Sequence, residues 1–141
     1  MKMKKQMLAA ALLTTVCVVV RAEVAVIVHP SIGFNELSDD NISRLFLGKA
    51  KSFPNGEMAI PINQDEGSAS RTKFQDTLVK KNASQYKAYW SQLVFTGKGT
   101  PPKDAGKDAD VKKLIGSNPN MIGYIDAAQV DSSVKVVFKI P

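Results

Sequence analysis

A layered α/β domain is the fold class this sequence predicts, and three observations carry that expectation. Short runs of strand character at 24–28, 58–63, 121–125 and 134–140 are separated by segments whose apolar residues recur at helical spacing. The first run, Val-Ala-Val-Ile-Val, shows no polar alternation, as expected of a strand covered on both faces. Helices between strands imply helices layered on a sheet rather than a sandwich of two sheets. The length then suits one core, so the expected unit is a single α/β domain over residues 23–141 with a small mixed sheet of about four strands.

Residues 1–22 are set apart as a secretory signal. Lys2, Lys4 and Lys5 precede an apolar run from Met7 to Val20, and Val20-Arg21-Ala22 offers a cleavage site. A run of that length falls short of the about 20 residues a membrane-spanning helix needs. Cleavage after Ala22 is expected, giving a periplasmic protein that begins at Glu23 and is not membrane-embedded. Lipid attachment at Cys17 is not expected, because Val16 stands where a small residue is required. The whole chain carries a net +6, yet removing Lys2, Lys4, Lys5 and Arg21 leaves 15 basic residues against 13 acidic ones, a net +2. The basic character therefore belongs largely to the leader, and a nucleic-acid partner, which calls for a strongly basic face, is not expected. Cys17 is the single cysteine, so the mature chain must hold together by packing alone.

Along the mature chain, His29-Pro30 ends the first strand. Ser38 caps a short helix whose first turn carries Asp39 and Asp40, whose apolar face is Ile42, Leu45 and Phe46, and which stops at Gly48. Pro54-Asn55-Gly56 is a turn, and Pro61 marks the following strand as an edge or a strand end. Helices are expected over 70–81, 84–95 and 108–115. A polar loop with Gly97, Gly99, Pro101 and Pro102 is a candidate mobile segment. Tyr86, Trp90, Leu93 and Val94 fall at helical spacing and are assigned to the core.

The stretch Asn63-Gln64-Asp65-Glu66-Gly67-Ser68-Ala69-Ser70-Arg71 runs from a strand into a helix start, where unpaired N–H groups carry partial positive charge. Gly67 would permit close approach, and Ser68 and Ser70 would donate to an oxyanion; the alternative is that Ser68 or Ser70 simply caps the helix. Ser70-Arg71-Thr72-Lys73 matches the S-x-x-K pattern of a lysine-activated serine, but its partner elements are missing: the "SDDN" at 38–41 has the wrong spacing and the "TGKGT" at 96–100 the wrong order. No enzyme activity is expected. His29 is the only histidine, so imidazole-rich metal sites are excluded, and neither metal nor cofactor is expected. His29, with Ser31 beside it, is either a strand-end residue or ligand-proximal, since strand ends border the crevice in α/β sheets. Asp104, Asp108 and Asp110 lack the glycine and terminal glutamate of a calcium loop and are assigned to a solvated loop and a helix cap.

Taken in order, "ISRLFLGKAKSF", "INQDEGSASRTKF" and "NPNMIGYID" resemble three successive segments of the phosphate-binding proteins of ABC transporters. Those proteins carry a helix ending in F-L-G-K, an R-x-D-G-S-G-T anion loop at a helix start, and a G-x-I-G-Y strand. The resemblance implies a three-layer single lobe of the type II periplasmic-binding-protein kind. It also implies a small oxyanion such as phosphate as ligand, held by Gly67, Ser68, Ala69 and Ser70 with Arg71 as counter-charge. A transporter permease or a second copy of the chain are the implied partners. Gln64 stands in place of the arginine, Glu66 of the aspartate and Ala69 of a glycine. A lost guanidinium removes a charge-assisted bond of about 1.5–3 kcal/mol, so weak binding is expected. The alternative is a non-catalytic interaction module that keeps the lobe and has lost the ligand; an exposed apolar patch would favour it.

Overall fold

The computed structural model describes Thr15 and residues 23–141; the signal, its cleavage site and Cys17 lie outside the described residues. Five strands make one mixed sheet: β1 (Val24–Val28), β2 (Ile60–Asn63), β3 (Lys103–Asp104), β4 (Met121–Asp126) and β5 (Lys135–Ile140), in the order β3-β2-β4-β1-β5. β2 runs parallel to β3 and β4, whereas β1 is antiparallel to β4 and β5. Among the described residues, four α-helices flank it: α1 (Asp39–Phe46), α2 (Ala69–Phe74), α3 (Ala83–Phe95) and α4 (Asp108–Ser117).

β1 shows why its sequence lacks alternation. Val24, Val26 and Val28 pack under α1, α2 and α3, with Phe46, Phe74 and Trp90 in the same cluster. Ala25 and Ile27 face the other way, against Val111 and Ile115 of α4. Both faces are therefore apolar and the domain has three layers. Gly123 on β4 lets α4 settle close, since a Cβ there would lie 2.9 Å from both the Ile115 Cδ1 and the Val111 Cγ1.

Ser38 caps α1 through a 3.1 Å bond from the Asn41 N–H, and Gly48 ends it with φ +69. The helix expected over 70–81 is α2 followed by one π turn (Gln75–Val79), closed by Lys80 in the left-handed region at φ 57. Beside the four expected strands, the polar loop after α3 ends in a fifth, β3, a two-residue strand pairing Ile62 and Asn63. Pro61 keeps its expected edge character, since β3 does not reach that far. The core assignment over α3 holds for Tyr86, Trp90 and the partly buried Leu93, but Val94 is 52% exposed.

Candidate functional site

The parallel strands β2, β3 and β4 end together, and the loop from Gln64 to Ser68 leaves the sheet at that end. Beneath it lies a chain of buried hydrogen bonds. The Tyr124 hydroxyl donates to Asn63 Oδ1 at 2.9 Å and accepts the Gln64 N–H at 3.2 Å. Asn63 Nδ2 donates to the Tyr86 hydroxyl, which donates to the Phe46 carbonyl at 3.0 Å. Tyr124 also stacks on Phe74 with ring centroids 4.1 Å apart. Burial pushes both phenols above their ordinary value of 10, Tyr124 most strongly; for Tyr86 the Asn63 hydrogen bond opposes part of the shift. Both tyrosines are thus neutral hydroxyl pegs that fix the strand end from which the loop departs.

Gln64, only 2% exposed, is the loop's latch. Its Nε2 donates to the Tyr124 carbonyl at 2.9 Å and to Asp108 Oδ1 at 2.6 Å, and its Oε1 accepts from the Ser68 hydroxyl. Gly67 takes φ +85, a left-handed conformation that a side chain would strain. Ser68 is the N-cap of α2, its Oγ accepting the Arg71 N–H at 3.3 Å. The Ser70 hydroxyl leans on Asp108 Oδ1 at 3.4 Å, which also accepts the Asp126 N–H at 2.9 Å. Among the described residues the N–H groups of Ala69 and Ser70 have no hydrogen-bond partner; they are the first two amides of α2.

These groups face a cleft of about 510 Å³ whose rim carries Lys107 together with the carboxylates of Asp65, Glu66, Asp108 and Asp126. The local charge is therefore mostly negative. Arg71 does not offset it. Its guanidinium turns inward, donating to the Gln64 carbonyl at 2.7 Å and to Asp104 Oδ1 at 2.8 Å, and it lines a neighbouring groove instead. His29 and Ser31 pair with each other at 2.7 Å, but β1 runs against β4 and leaves them at the opposite end of the sheet. They stand at the end of β1, outside this cleft. Among the described residues no group of three or more metal-ligating side chains is placed to hold an ion.

Loop and helix start were legible in the sequence; Asp108, Asp104 and Tyr124 were not. Asp110 does serve as a helix cap, its carboxylate accepting the Lys107 N–H at 3.0 Å. Asp108 and Asp104 instead tie down Gln64 and Arg71, partners 44 and 33 residues away. The sole advance signal was the pair of acids, Asp108 and Asp110, opening a helix.

The small mixed sheet with helices on both faces and a loop–helix start at the end of its parallel strands is a fold shared with about half of several solved proteins. Solved structures show the same fold. A Clostridium perfringens protein described as a phosphate ABC transporter substrate-binding protein, solved with bound phosphate, is 24% identical, with a TM-score of 0.61 over 82% of this chain and 45% of its own. An ABC-type phosphate transport receptor from Vibrio cholerae is 15% identical, with a TM-score of 0.64 over 82% of this chain and 46% of its own. PstS from Borrelia burgdorferi is 17% identical, at 0.61 over 82% and 47%. The chain thus spans just under half of each. No protein-family model matches it, and no curated protein does.

Proposed function

We propose that this chain is a non-catalytic, periplasmic recognition lobe that holds a small oxyanion such as phosphate on the loop 64–70. The single observation that carries this is the pair of unpartnered Ala69 and Ser70 amides at the start of α2, facing an open cleft beside Lys107. The fold shared with receptors for phosphate transport supports it. The ligand contacts are backbone N–H groups plus the Ser70 hydroxyl, with Gly67 and Ser68 shaping the loop. Gln64 and Arg71 act beneath it, holding the cradle in position. No proton transfer or covalent step is involved.

Binding is weak on this account. Four carboxylates line the cleft, Arg71 is committed to Asp104, and a single lobe leaves the ligand partly in water, where each polar contact is worth less. Calorimetry with phosphate and sulfate tests it: dissociation constants between about 0.1 and 10 mM are expected, about 4 kcal/mol at 1 mM. Absence of heat for either anion across that range, at more than one temperature, counts against the reading.

A second reading, an interaction module, is favoured by a separate observation. Phe95 at 92% and Val94 at 52% exposure stand side by side at the end of α3, forming the start of the exposed apolar surface that this reading calls for.

A further inference from the structure

We infer that two copies of this chain pair through the outer face of α3, the Phe95 ring of each seated in a groove of the other. This rests on the interaction reading and names its partner.

α3 is a 13-residue surface helix with one charged side chain, Lys87. A surface helix normally turns a charged or polar stripe to water. Here the inner side is filled by Tyr86 and Trp90, while the outer side offers Lys87, Ala88, Ser91, Val94 and Phe95, all exposed. Beside it runs a groove of about 500 Å³, large enough for an aromatic ring. One wall is α3 itself, and the other is built from Glu66, Arg71, Pro101 and Asp104. Val94 and Phe95 themselves stand at the edge of this groove, so knob and hole lie on the same face of the same chain. That self-complementarity is what a two-fold pairing requires, because each copy must present both halves of the contact.

Charge selects a second copy over an unrelated partner. The α3 wall carries Lys87, whereas the facing wall carries the Glu66 and Asp104 carboxylates, and Asp104 remains 48% exposed despite its bond to Arg71. An α3 entering the partner's groove brings a cation to an acidic rim, twice over by symmetry. Within the face, Lys87 and Arg71 balance Glu66 and Asp104, so two copies meet without net repulsion. Ser91, small and exposed midway between Lys87 and Phe95, leaves room for the approach.

Sedimentation velocity of the secreted product of the full-length chain, without added phosphate, tests the pairing. Wild type is expected to show a concentration-dependent dimer. Phe95→Ser removes the knob and Ser91→Trp obstructs the groove wall; each should raise the dimer dissociation constant at least about tenfold. Both positions are exposed, so far-ultraviolet circular dichroism should be unchanged. Lys87→Glu should weaken the dimer and Lys87→Glu with Glu66→Lys should restore it. A chain that stays monomeric up to about 1 mM, or a dimer that survives both Phe95→Ser and Ser91→Trp, overturns the pairing. The interaction reading itself fails on different evidence, namely tight phosphate binding by the monomer.

Discussion

Gln64 is where the residue scale decides most. Its amide spends both hydrogen-bonding ends inside the protein, on Asp108, Tyr124 and Ser68, so the neutral side chain stiffens the loop and adds no charge for an anion. Gln64→Arg should tighten phosphate binding about tenfold, one charge-assisted bond's worth at the low end, as measured by calorimetry; unchanged or weaker binding would show that Asp108 captures the new guanidinium. Gly48 makes a second test. It sits at φ +69 and a Cβ there would come within 2.7 Å of Trp90 Cη2. Gly48→Ala should cost about 1–3 kcal/mol in urea unfolding, combining strain with overpacking. The sequence exposed Gly67, Ser68 and Gly48 because caps and left-handed turns leave local marks. Tyr124 left none, and Asp108 only its place at a helix start, since what they hold is 60 and 44 residues away.

At the scale of elements, α3 starts at Ala83, one residue before the start expected at Ser84. Asn82 is the N-cap: its side chain accepts the Gln85 N–H at 2.9 Å, and Gln85 returns a bond to the Asn82 N–H at 3.0 Å. Asn82→Ala should lower stability by about 1 kcal/mol, readable as a shifted denaturation midpoint at constant slope. The reciprocal pair was visible only as Asn-x-x-Gln, a weak form of the capping pattern. The long helical periodicity at 70–81 gave no hint of the π turn, because an extra residue in one turn preserves apolar spacing on either side. β3 is too short for any alternation to register, and it forms only because β2 offers a parallel edge. Val94 misled for a related reason: residues three and four positions beyond Trp90 both fit helical spacing, and in the folded chain Leu93 takes the inward place.

Across the whole molecule, the buried tyrosines make an alkaline prediction. In the unfolded chain Tyr86 and Tyr124 ionise around pH 10, whereas in the folded chain burial holds both protonated to higher pH. The folded state therefore binds more protons above pH 10, and stability falls as pH rises from 10 through the raised values, by up to about 1.4 kcal/mol per pH unit for each tyrosine. Chemical denaturation from pH 8 to 11 should be flat at first and then decline, and Tyr124→Phe should make that decline shallower. The layered fold itself was legible in the sequence because β1 is apolar on both faces and helices alternate with strands. The charge of the cleft was not, because Asp108 and Asp126 reach it from α4 and from the end of β4. The central claim, that the amides beginning α2 receive an oxyanion, is tested most directly by following backbone amide resonances during a phosphate titration. Saturable shifts of the Ala69 and Ser70 N–H signals, with a midpoint between about 0.1 and 10 mM, are the predicted result; signals at 69 and 70 that stay fixed while phosphate exceeds that range would contradict it.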